Sequence, residues 1–257
     1  RTPLEVRLFS QLTGITHNII QEAFSTKVIT PGFTTTEVVV WWMREIVLKL
    51  DLNTWFHPTV DIQRSGKSDL YGFDGKPKFD VIMPGDLVHC DFGISYLTLN
   101  TDCQELAYVL KPGETDAPQF LKEALKQGNT VQDALTDNFI KGRTGNETLK
   151  IAIKESKKLG LRPQIYTHPL CLYGHSAGTT FGMWDAQNGV PGSGEHPLYE
   201  NTAYAIELNA KVYIDQWQKD IRIMLEEAGF FGPSGFRYVN GRQTNLILIG
   251  QKSKYLE

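Results

Sequence analysis

Cysteine is scarce in this chain. Cys90, Cys103 and Cys171 are the three present, and no two stand in a C-x-x-C spacing. An odd count without paired spacing argues against a disulfide framework and against a thiolate zinc site, so buried free thiols are expected. No apolar run approaches the roughly 20 residues that a membrane-spanning helix requires, so no membrane is expected as a partner. Neither sign of charge dominates: 26 basic against 29 acidic residues leave a net charge of −3, which gives no footprint for nucleic acid. No low-complexity linker divides the 257 residues, so a single domain, 1–257, is expected. The opening Arg1-Thr2-Pro3 carries no signal-peptide pattern, and neither the cellular compartment nor what preceded Arg1 follows from it.

What is present reads as a mixed α/β chain. Leu4, Leu8, Leu12, Ile15, Ile19 and Phe24 fall close to helical spacing and predict a helix over 4–25. "TPGFTTTEV" predicts a turn and then a second helix, capped by Thr34 or Thr35, with Glu37 in its first turn, running to about Leu50. Residues 61–80, polar and glycine-rich, read as loop or hairpin. From Asp80 to Leu110 β-formers dominate, broken at Pro84-Gly85 and at Asn100. Helices are expected over 117–140 and 147–160, extended chain from Leu170 to Trp184, and loop over 188–198. "AYAIELNAKVYI", "DIRIMLEEAGFF" and "TNLILIGQ" read as strands. The order helices, strands, helices, strands suggests two similar halves sharing one sheet.

Tyr173-Gly174-His175-Ser176-Ala177-Gly178 fits G-x-S-x-G, the nucleophile elbow of serine hydrolases. The elbow requires a helix to follow, and "AGTTFGMWDAQNGVPGSG" is a poor one. Only His196 lies downstream, too close to leave room for an acid and its strand. His175 therefore outweighs Ser176.

Carboxylates stand where apolar strand residues belong. Asp91 and Asp102 lie in "CDFGISYLTLNTDC", Glu207 in "AIELNA" and Glu226 in "IMLEEA". Buried acids are costly unless paired or bound to metal. If the chain turns back between the two aspartates, both face one cavity. Four carboxylates with His175 make a hard-oxygen set with one nitrogen, suited to two divalent ions such as Mn, Co, Fe or Zn. Such pairs acidify bound water, which is hydrolytic chemistry.

That ordered set resembles the pita-bread metallopeptidases, the family of methionine aminopeptidase, aminopeptidase P and prolidase, with creatinase as a metal-free relative. "RTPLEVRLFSQLTGIT" is similar to the first helix of their catalytic domain and "MPGDLVHCDFGISY" to the turn and strand carrying the first metal Asp. "YGHSAG" is similar to their Gly-His element and "AIELN" to the strand of the first metal Glu. The resemblance implies an α/β (α+β) pita-bread fold with two pseudo-symmetric halves. It further implies a dinuclear peptidase of Xaa-Pro aminopeptidase or dipeptidase type acting on short peptides. Asp91 would chelate one ion, Asp102 and Glu226 would bridge both, and His175 and Glu207 would complete the other. Glu207 would also act as general acid/base while a metal-bridged hydroxide attacks.

Two departures from the family pattern stand out. Its last strand reads Arg-Ile-Glu, whereas Arg222-Ile223 is followed here by Met224. Glu226 shares the face of Met224 and Glu227 does not, so Glu226 is expected as the ligand. The family also places a substrate-polarising His seven residues after the metal His, and seven after His175 stands Gly182. Trp184 takes that place if the loop is two residues longer, and His168 is a candidate for lining the cleft. His57 lies too early to match the family's first-half His. A non-catalytic peptide- or protein-binding module and a creatinase-like hydrolase of a non-peptide amide are the alternatives. Assembly stays open, a homodimer included.

Overall fold

The computed structural model describes residues 1–66, 80–170 and 172–250. In chain order the helices are α1 (Pro3–Ala23), α2 (Thr36–Lys49), α3 (Gln119–Thr136) and α4 (Gly145–Lys158). The first-half strands are β1 (Asn53–Thr54), β2 (Thr59–Gln63), β3 (Leu87–Phe92), β4 (Ile94–Tyr96), β5 (Leu99–Asn100) and β6 (Cys103–Val109). The second half adds β7 (Pro163–Ile165), β8 (His168–Leu170), β9 (Thr202–Ile214), β10 (Lys219–Gly232), β11 (Gly235–Tyr238) and β12 (Ile247–Ile249).

Local signals set the helix starts. Thr2 and Glu5 form a reciprocal capping box on α1, and Thr144 and Glu147 form another on α4. On α2 it is Thr35 that caps, its hydroxyl accepting from Val38 N at 3.3 Å. No helix among the described residues is long and apolar enough to cross a membrane.

The main sheet runs β2-β3-β6-β10-β9-β7, so each half supplies three neighbouring strands and the halves meet at β6 and β10. All four helices back one face of it. Gly128 of α3 lies against Ile223 and Leu225, and His17 of α1 bonds Glu227, all three on the same face of β10. Two apolar cores result, one under α1 and α2, the other under α3 and α4. The opposite face of the central strands stays open.

The chain does turn back between Asp91 and Asp102. β4 and β5 pair antiparallel through Leu97 and Thr98, both at positive φ (46° and 64°), the handedness that two-residue hairpins need. Gly93 lets the two arms close: a Cβ there would lie 2.3 Å from the Thr101 carbonyl.

Two sequence expectations are corrected. The start of 61–80 is strand, since β2 pairs with β3, and residues 67–79 lie outside the described residues. The extended stretch expected from Leu170 to Trp184 does not hold over residues 172–184. They are mostly bends and irregular chain with an isolated bridge from Phe181 to Thr167, and Gly178 and Gly182 stand at φ of 142° and 71°, which interrupts a regular strand. Cys90 and Cys103 are buried free thiols, while Cys171 lies outside the described residues.

Candidate metal centre

Strand register places the polar row. Asp91 pairs with Gln104, Gln104 with Glu226, and Glu226 with Glu207, so four side chains line up across β3, β6, β10 and β9. Asp102 stands two residues before Gln104 and points to the same side. Neighbouring strands are about 4.8 Å apart, which brings carboxylates on such a row within reach of a shared cation. Oxygens of Asp91, Asp102 and Glu226 lie within 4.8 Å of one another. Glu227, one residue on, turns to the helix face and bonds His17 at 2.9 Å.

The two histidines exchange the places expected for them. His168, at the start of β8, is 2% exposed. Its Nε2 lies 3.6 Å from Glu226 and 3.8 Å from both Asp102 and Glu207. His175 is exposed and, among the described residues, shares a potential ligand group only with Asp102 and His168. It packs edge-on to Trp55, with ring centroids 5.5 Å apart. The cause is local: β8 pairs with β9, His168 opposite Ala205, and this fixes the first ring under the acids, whereas His175 sits in the bends that follow.

The electrostatics are those of buried acids crowded against one another. Burial, then the Glu226 charge, pushes Asp91 up to about 8. Burial likewise raises Glu226 to about 8. Asp102 and Glu207 stand well above the usual carboxylate range through burial and the neighbouring acids. Burial holds His168 down to about 4, so its ring is neutral at pH 7 and able to ligate. Asp91 Oδ1, Asp102 Oδ1, Glu226 Oε1 and His168 Nε2 are buried with no hydrogen-bond partner among the described residues. Buried polar atoms are otherwise nearly always paired. Four orphaned donor atoms of metal-ligand type, aimed at one another, fit divalent cations.

Residues that sequence reasoning missed complete the site. Gln104 donates to Glu207 Oε1 (2.8 Å) and Glu226 Oε2 (2.9 Å), and its Oε1 lies 3.0 Å from His89 Nε2. His89 Nδ1 in turn lies 3.2 Å from Asp61. Burial disfavours charge on His89, but Asp61 outweighs it and raises the pKa. The signal was available: Gln and His in the apolar strands "DCQELAYVL" and "DLVHCDF" are as anomalous there as the acids.

Two cavities open on this row. One of about 260 Å³ holds the acids and His175 between Trp55, Tyr166 and Trp184. The other, about 740 Å³, continues from Asp91 and Glu207 to Met224 and Arg222. Trp184 thus lines the cleft. His57 does not; it bonds Arg44 (2.7 Å) and packs on Trp41. Ser176 donates its hydroxyl to the Tyr173 carbonyl (2.9 Å) rather than to a histidine, which speaks against the serine-hydrolase reading.

Two helix-backed halves joined along a seam of acids are the pita-bread architecture. Within it the chain belongs to metallopeptidase family M24, whose model matches residues 8–228. Among solved structures it is similar to an X-Pro aminopeptidase from Thermotoga maritima (18% identity, TM-score 0.72), covering 96% of this chain and 64% of that one. A methionine aminopeptidase from the same organism matches at 19% identity and TM-score 0.63, covering 94% and 98%. The N-terminal domain of the FACT complex subunit SPT16 from chickpea matches at 10% identity and TM-score 0.69, covering 97% and 61%. The chain thus spans less than two thirds of the X-Pro aminopeptidase it matches. No curated protein matches its sequence. At these identities the likeness shows the fold, and the site must carry the argument for activity.

Proposed function

We propose that this chain is a dinuclear metal-dependent peptidase that hydrolyses short peptides near their N-terminus, as Xaa-Pro aminopeptidases and dipeptidases do. The observation that carries the reading is the set of four partnerless buried donor atoms on Asp91, Asp102, His168 and Glu226. Family membership and peptidase neighbours agree with it.

In this reading Asp91, Asp102, His168, Glu207 and Glu226 hold two ions of the Mn, Co, Fe or Zn class. Bound cations of this kind supply Lewis acidity toward a carbonyl and acidify water. The chain's own residues do the rest. Gln104 fixes the rotamers of Glu207 and Glu226 through its amide. Glu207, on the wall of the smaller cavity, carries the proton between nucleophile and leaving amine. His175 stands seven residues after His168, the spacing at which the family keeps its substrate-polarising histidine. His175 therefore takes that role and His168 the ligand role, the reverse of the sequence assignment. Trp55, Tyr166 and Trp184 wall the site and exclude water from the scissile bond.

Metal analysis after Mn or Co loading should find two ions at the open-face site, with turnover of Xaa-Pro dipeptides and tripeptides. His168→Ala should lose bound metal. His175→Asn should keep it and lower kcat on the order of 10²-fold, as removal of a transition-state donor does. Tight peptide binding without turnover under every metal would overturn the reading in favour of a binding module.

A further inference from the structure

We propose a second cation site on the helix-covered face of the sheet, where His17, Cys103 and Glu227, with Glu105 as fourth ligand, hold a zinc-class ion. His17 Nε2 lies 2.9 Å from Glu227 Oε2, 3.7 Å from Cys103 Sγ and 3.8 Å from Glu105 Oε1. The ligand atoms of His17, Cys103 and Glu227 all lie within 4.8 Å of one another. Tetrahedral zinc with ordinary bond lengths sets its ligand atoms about 3.3–3.6 Å apart, so small side-chain shifts close the set. This site stands apart from the proposed peptidase centre and does not depend on it.

An independent observation points to a ligand. Glu105 is 5% exposed, yet its Oε2 has no hydrogen-bond partner among the described residues. Two buried carboxyl groups, those of Glu105 and Glu227, face the His17 imidazole here. Thiolate and imidazole favour zinc over magnesium or calcium. The outer contacts are in place as well. Gln243 N donates to Glu227 Oε1 (2.8 Å), and the Asn240 amide nitrogen lies 3.2 Å from His17 Nδ1. Turning that amide over lets Nδ1–H donate to its oxygen and frees Nε2 to coordinate, the usual arrangement of a ligating histidine. Binding expels the Cys103 thiol proton to the medium.

The ligands come from α1, β6 and β10, elements far apart in sequence, which is why the spacing of the cysteines argued against any thiolate zinc site. β6 and β10 are the strands on which the halves meet. An ion held there ties α1 to both and acts as a structural clamp.

Cobalt(II) substitution of the reduced, chelator-treated full chain tests this. A sulfur-to-cobalt charge-transfer band should appear in the near ultraviolet, which the oxygen and nitrogen ligands of the open face cannot produce. Cys103→Ser should abolish it, while Cys90→Ser and Cys171→Ser keep it. Asn240→Ala should weaken cobalt binding at this band about 10–100-fold. Absence of the band with the open face loaded, or its persistence in Cys103→Ser, overturns the proposal. If Cys103→Ser does not fold, cobalt-edge X-ray absorption on the unsubstituted protein decides, and a cobalt shell without sulfur sinks the site.

Discussion

His168 and His175 have ring centroids 4.4 Å apart, yet one ring is buried under acids and the other reaches solvent. Gly174 makes that division. A Cβ at this position would lie 2.1–2.3 Å from the indole of Trp55, which is pinned by its Nε1 donating to the Thr101 carbonyl at 2.8 Å. Gly174→Ala must therefore displace either Trp55 or the backbone carrying His175. Neither Trp55 nor His175 is among the proposed ligands. Metal content should stay at the wild-type level while kcat falls on the order of 10²-fold, the scale of an ångström-sized misplacement of a reacting group. Lost metal with unchanged turnover per bound metal would show that Gly174 supports the ligands instead.

Among the elements, β9 pairs with β10 from end to end, and this hairpin made much of the site readable from sequence. Period-two alternation sends Glu226 to the open face and Glu227 to the helices, and no tertiary information is needed to see it. Asp91 and Asp102 were readable for the same reason, as acids interrupting apolar strands. The histidines were not. Between Leu170 and Trp184 glycines break the periodicity, and a seven-residue spacing alone does not say which ring faces in. Nor could sequence say how tightly α3 seats on the sheet. Its Gly128 would place a Cβ 2.7 Å from Ile223 Cγ2 and 2.9 Å from Leu225 Cδ1. Gly128→Ala gains about 0.5–1 kcal/mol of helix propensity and costs about 1–3 kcal/mol in overpacking. A net loss is expected, seen as a Tm lower by a few degrees in calorimetry. A raised Tm would mean that α3 and the sheet part freely at this contact.

At the scale of the whole molecule, the fold buries acids along the seam between its halves, and that makes stability depend on pH in a definite direction. Asp91 and Glu226 stand at about 8, Glu105 at about 7 through burial and the Glu227 charge, and Asp102 and Glu207 well above their ordinary range. In the unfolded chain these acids titrate near their ordinary values of about 4. Between those limits the native state binds more protons than the unfolded state, so its stability falls as pH rises, by about 1.4 kcal/mol per pH unit for each such proton. His17 and His89, both raised by neighbouring acids, act in the same direction above the ordinary histidine range. His168 and His175, both lowered to about 4, act oppositely, but only below that range. From about pH 6 to pH 8 the chelator-treated protein should therefore lose Tm steadily. Divalent cations replace the protons as countercharge, so saturating Mn or Zn should raise Tm most at pH 8 and flatten the profile. The measurement is Tm across that range with and without metal. A metal-free profile that is flat or rising would show that the seam acids are already ionised without cations, and the electrostatic case for metal at the open face would fail with it.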